Sequence, residues 1–224
     1  MEGWRVAQCL KTKQALIYRV LLGRESMNAM KPTLISAALL AVLLINVGCA
    51  SDDSTSKANK VNEERIDKQA IAISEDDKDK AKDVSKSLVD LASMSMTEYE
   101  LSKVAFQRAT NPQVKALAQQ AMNEHQQSER DLRALARQLN VTLPTAMARE
   151  GKNRIDDLQD AQAGTAFDID YLSEMAKVND KALDVADDLE DNAPNDAVKE
   201  LAKKVQTNDG KHKDQAKQLK NVLE

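Results

Sequence analysis

From Val84 onward, apolar side chains recur at spacings of three and four, the repeat that lines them along one face of an α-helix. Turn-forming residues divide the pattern into four stretches. The first runs from about 82 to 109, with Leu88, Leu91, Glu98, Leu101 and Ala105 inward. The second, 112 to 139, carries Val114, Ala118, Ala121, His125, Ser128, Leu132, Leu135 and Leu139 on its seam. A third stretch, 152 to 190, runs through Ile155, Leu158, Thr165, Leu172, Asn179, Leu183 and Ala186. The fourth, 195 to 223, presents Val198, Leu201, Val205, Asn208, His212, Gln215, Leu219 and Val222. Asn111-Pro112 forms the first corner: the Asn111 side chain can accept from free N–H groups of the next helix, and proline suits the first helical position. Asn140 to Pro144 and Asp191 to Pro194 break the pattern again. Four amphipathic helices with mostly short connections predict an all-α, antiparallel four-helix bundle over residues 81–224.

The N-terminal part follows a different logic. Residues 34–48, LISAALLAVLLINVG, make the only long apolar run. At about fifteen residues it falls short of a membrane span and suits the apolar region of a secretory signal, with Lys31 as the positive flank. Small residues then lead to a lone cysteine, Cys49, as at a bacterial lipoprotein cleavage site, although Asn46 stands where leucine is usual. The expected division is an over-extended start or long positive flank at 1–26, a signal peptide at 27–48, lipidated Cys49 with a polar tether to residue 80, and the bundle at 81–224. Ala50, rather than Asp, after the cysteine favours the periplasmic face of the outer membrane. A tether of that length would leave the orientation of the folded part free.

Composition narrows the function classes. Aromatic residues make up 3%, charged residues 30%, and the formal net charge is -4 with both signs interspersed. No basic stripe marks the bundle, so a nucleic-acid partner is not expected. Cys9 and Cys49 both lie outside the helices, which leaves no structural disulfide and no CxxC zinc pattern in the bundle. The expected partners are the membrane, through lipid on Cys49, and other envelope proteins.

Each predicted helix interrupts its seam with one polar residue near the middle: Glu98, His125, Asn179 and His212. Two readings compete. In one, the layer is a hydrogen-bonded device that fixes register and no cofactor is bound; a variant of it leaves His212 near the surface beside Lys211 and Lys213. In the other, Glu98, His125, Asp209 and His212 hold a single Zn, Cu or Fe ion in the bundle core. A di-iron centre needs Glu-x-x-His on two helices, and this chain offers only Asp209-x-x-His212. Met94, Met96, Met122 and Met175 read as core gap-fillers. No nucleophile–base arrangement stands out, so catalysis is not expected.

Several residues carry a family resemblance: Glu98-Tyr99-Glu100-Leu101, Glu124-His125, Leu143-Pro144, Phe167-Asp168-x-x-Tyr171-Leu172-x-x-Met175, and His212. Over roughly 84–222 the chain resembles a bacterial lipoprotein family with a ferritin-like domain of unknown function, DUF4142. The resemblance implies a ferritin-like bundle at the periplasm or outer membrane, with no established activity. Where many members have an Asp-His pair on the third helix, this chain has Val178-Asn179. The leading expectation is therefore a lipid-anchored envelope protein whose bundle is a structural or binding module, with stress adaptation implied by family analogy alone. The alternative is a metal-binding ferritin-like protein, a scavenger or weak oxidase.

Overall fold

A computed structural model describes residues 53–69 and 74–224. The apolar run at 34–48, the lipidation candidate Cys49 and Cys9 lie outside the described residues. Among those described there are six helices and no strand: α1 (Ser54–Gln69), α2 (Glu75–Arg108), α3 (Pro112–Gln138), α4 (Arg149–Asp160), α5 (Thr165–Asp191) and α6 (Asp196–Leu223). None of them is long and apolar enough to cross a membrane.

The bundle consists of α2, α3, α5 and α6. At the α2–α3 corner the Asn111 side chain accepts from Gln113 N at 2.8 Å and Val114 N at 3.3 Å, with Pro112 opening α3. Asn195 caps α6 in the same way, accepting from Val198 N at 3.1 Å. Helix α5 runs antiparallel to α2: Asp168 meets Thr110 at one end, while Val84 and Leu88 share a cluster with Ala186 and Leu189 at the other. The order is therefore up, down, down, up. Helices α3 and α5 point the same way, so residues 139–164 must climb the full bundle. A single long crossover of this kind is the ferritin-like arrangement.

That crossover corrects the expected third helix over 152–190. The helix stops at Asp160 and restarts at Thr165, and Gly164 takes φ 93°, a left-handed geometry that a side chain would resist. Thr165, assigned to the seam by periodicity, is exposed. At the far end of α6, Val222 is 78% exposed rather than inward. Helix α4 lies against α2 so closely that a Cβ on Gly151 would stand 2.2 Å from Thr97 Oγ1. Arg108 fastens the end of α4, donating to the carbonyls of Leu158, Gln159 and Ala161 while its guanidinium covers Phe167 at 4.6 Å.

The polar segment expected as a solvated tether is largely helical. Helix α2 begins at Glu75 instead of about residue 82, because Ser74 caps it, accepting from Asp77 N at 3.2 Å, and three acidic residues fill its first turn. Helix α1 buries little apolar surface, yet polar bonds pin it to the crossover. Asn62 donates to Thr142 O at 2.9 Å and accepts from Thr142 N at 2.8 Å, and Arg65 reaches Thr142 Oγ1 at 2.7 Å and the Asn140 carbonyl. Ser54 Oγ accepts from Thr145 N and Ala146 N, and the Asp53 carboxylate from Arg149 N.

Two apolar clusters fill the bundle. Leu101, Val114, Phe167, Tyr171, Leu172 and Met175 anchor the one nearer the α2–α3 corner. Leu88, Leu132, Ala186, Leu189, Val198 and Leu201 anchor the other. Truncating a fully buried Leu101 or Leu88 to alanine costs about 2–5 kcal/mol in such a core. Glu98, His125, Asp209 and His212 belong to neither cluster and occupy positions midway along their helices.

Candidate metal centre

Helical spacing brings the four side chains inward. Glu98 lies three residues before Leu101 on the α2 seam, and His125 four after Ala121 on α3. Asp209 and His212, three apart on α6, share a face. One ligand atom from each of the four lies within 4.8 Å of the others, and all four residues are buried. His125 Nε2 stands 2.9 Å from Glu98 Oε2, and His212 Nε2 stands 2.8 Å from Glu124 Oε2. Outside these two close pairs, Glu98 Oε1 and His212 Nδ1 are buried without a hydrogen-bond partner. Two such unpartnered polar atoms beside a buried acid–imidazole pair are costly in a packed core unless something else satisfies them. Donors about 2.1 Å from one ion lie about 3.4 Å apart in a tetrahedron and about 4.2 Å apart across a square plane, so a set within 4.8 Å needs to contract by about 0.5–1.5 Å at its widest to hold one.

The electrostatics reflect the crowding. Burial alone would push the His125 imidazole down, but the charge and close contact of Glu98, helped by Asp209 and Glu124, outweigh it and raise it from 6.5 to about 9. Burial, reinforced by the Glu98 charge, lifts the Asp209 carboxyl well above its ordinary range. Burial and the neighbouring His125 hold His212 below its ordinary value. The two imidazoles lie 5.4 Å apart between ring centres. Two imidazoles and two carboxylates, partly protonated together, are the donor types that exchange protons for a divalent cation.

All four residues singled out in the sequence meet here. His212 is fully buried, as its seam position predicts, which rules out the alternative that it lies near the surface. On α6 Asp209 is buried and Asn208 only partly so, the reverse of the predicted seam. Asn179 is also fully buried, but its Nδ2 donates to Met175 O at 2.7 Å in its own helix. Glu124 is a contributor that seam counting overlooked, because it sits one place off the α3 seam beside His125. Ser95 is another: its Oγ lies 3.4 Å from His125 Nδ1 and leaves Nε2 to face Glu98. A cavity of about 20 Å³ adjoins Glu98, His125 and Asp209. Asp168, part of the Phe-Asp-x-x-Tyr motif, has a fastening role instead. Its carboxylate accepts from Thr110 N at 2.9 Å, Thr110 Oγ1 at 2.7 Å and Asn111 N at 2.9 Å, locking α5 to the α2–α3 corner.

Two solved structures share this fold. One is a crystal structure of a DUF305 fragment from Deinococcus radiodurans, at 13% identity and a TM-score of 0.55, covering 63% of this chain and 95% of the fragment. The other is CopM in its Cu(II)-bound form, at 17% identity and a TM-score of 0.56, covering 63% of this chain and 97% of CopM. No curated protein matches by sequence. The family described as Domain of unknown function (DUF4142) matches over residues 70–219, and the chain belongs to it.

Proposed function

We propose that the bundle is a metal-binding module that holds one transition-metal ion between α2, α3 and α6. Glu98, His125, Asp209 and His212 are its ligands, and Glu124 stands beside His212. The observation that carries this reading is the convergence of four buried donor atoms within 4.8 Å, with Glu98 Oε1 and His212 Nδ1 lacking a polar partner. A hydrogen-bonded register layer, the competing reading of the same residues, would satisfy those atoms internally. The donor set suits Cu(II) and Zn(II). The Cu(II) in the CopM structure makes copper the first ion to try. With only Asp209-x-x-His212 in place of two Glu-x-x-His pairs and no ligand on α5, the arrangement favours binding or sequestration of a single ion over di-metal redox chemistry.

The location proposed for this module is the cell envelope, anchored by lipid on Cys49. That part of the reading is supported by the sequence of residues 31–53 alone.

The deciding experiment is metal content of the full chain purified without chelator, then titrated with Cu(II) and Zn(II), beside a His125→Ala/His212→Ala variant. One equivalent bound by the native chain and lost in the variant is expected. Binding retained by the variant, or no binding by either, overturns the metal reading and leaves Glu98–His125 as a buried ion pair that sets helix register.

A further inference from the structure

The buried centre needs a way in, and one surface feature reaches it. A groove of about 610 Å³ runs between α2, α3 and the crossover arm at 145–147, and His125 forms part of its wall. His125 is thus shared between the solvent-side groove and the buried cluster, although only 4% of it is exposed.

The groove's chemistry is specific. Its charged side chains, Glu100, Glu129, Arg130 and Lys152, balance in sign, so net charge does not select what enters. Two thioethers face it instead: Met96 from α2 and Met147 from the arm. Both are partly buried, and neither belongs to the apolar clusters that fill the bundle. Core packing, the role expected of Met96, therefore does not account for it. Thioether sulfur prefers soft cations such as Cu(I), whereas the imidazole and carboxylate donors deeper in also accept harder ions.

Resting on the metal-binding reading above, we propose that this groove is the port of the buried centre, and that Met96 and Met147 are the first donors a soft cation meets there. The arm that carries Met147 is held in place from outside, since Ser54 of α1 accepts from Thr145 N and Ala146 N, and Ser93 Oγ accepts from Ala148 N at 2.8 Å. The port is therefore a fixed feature of the fold. Any small cation can pass, and soft ones gain an intermediate station.

The test uses the full chain and two variants. Ala146→Trp fills the groove, while Met96→Leu/Met147→Leu removes both sulfurs at nearly constant volume. Zn(II) uptake is followed by a chromophoric competitor, and Ag(I), standing in for Cu(I), by the methionine methyl NMR signals. Ala146→Trp should slow Zn(II) uptake at least about tenfold while equilibrium affinity stays within about twofold, the signature of a blocked path. In the native chain the Met96 and Met147 methyl signals should move first on adding Ag(I). The double leucine variant should slow Ag(I) uptake severalfold and leave Zn(II) uptake unchanged. Native Zn(II) rates in Ala146→Trp, or Ag(I) shifting other methionines first, would overturn the port while leaving the buried site standing. If the native chain takes up neither ion at His125 and His212, the site itself fails, and the port fails with it.

Discussion

The two hairpins of the bundle divide the work unequally. In α2–α3 each helix contributes one ligand candidate, Glu98 and His125. In α5–α6 both come from α6, as Asp209 and His212, while the polar residues of α5 turn to fastening. Asp168 clamps the α2–α3 corner, Tyr171 meets Ser102 Oγ at 3.2 Å, and Asn179 bonds within its own helix. Burial pushes the Tyr171 hydroxyl well up, so it stays protonated and serves as a neutral hydrogen-bonding group. A symmetric bundle would place a pair of Glu-x-x-His helices around two ions. Here three helices supply four candidate ligands, which matches the coordination number of one ion.

The sharpest break of this comparison targets the fastening helix. Asp168→Ala should lower unfolding stability by about 3–5 kcal/mol, because two backbone N–H groups and a hydroxyl lose a charged acceptor in a buried corner. Chemical denaturation read by circular dichroism checks this, and a loss below about 1 kcal/mol would deny α5 that role. Next comes the liganding helix: His212→Ala should weaken metal affinity by more than about 100-fold, the level that outer-shell changes seldom exceed. Equilibrium competition against a chelator measures it.

A pH titration should show a comparable span. His125 is raised from 6.5 to about 9 by its partners, so metal must displace its proton anywhere below about pH 9. Affinity should climb up to about tenfold per pH unit from His125 alone and level off above about 9, with the raised Asp209 steepening the lower part. For the metal-free chain the sign reverses. The stabilisation that His125 gains from its partners is complete below about pH 6.5 and is lost as pH rises through about 9. A flat affinity profile would mean that His125 is not a ligand. The smallest effect belongs to Asn179→Ala, which should alter metal affinity by less than about threefold if α5 supplies no ligand. A larger loss would make the two hairpins more alike than their hydrogen bonds indicate.

How well the sequence foretold these parts depended on where the information sits. Glu98, His125 and His212 were legible because each puts a polar group where the period demands an apolar one, and Asp209 followed from its spacing to His212. The Asn111-Pro112 corner was legible from local capping chemistry. The break at 161–164 was not, since Ile155, Leu158 and Thr165 keep a helical period across it. Only Gly164, with its left-handed backbone, marks the place where the chain swings back over the bundle. Docking of α1 was equally hidden, because it depends on Asn62, Arg65 and Ser54 finding partners some eighty to ninety positions away rather than on an apolar face.

That docking has a mechanical consequence. Asp53 opens the described part of the molecule at its N-terminal side, and its carboxylate already grips Arg149 N at 3.1 Å. Should Cys49 carry lipid, as proposed, only three residues would separate it from Asp53, and four Cα–Cα steps can span at most about 14 Å. A separation that short would hold the flank bearing Ser54 and Thr145 next to the bilayer. The groove beside Thr145 would then draw its ions from the thin layer of solvent at the lipid headgroups, and the surface potential of that layer would set the concentration it sees.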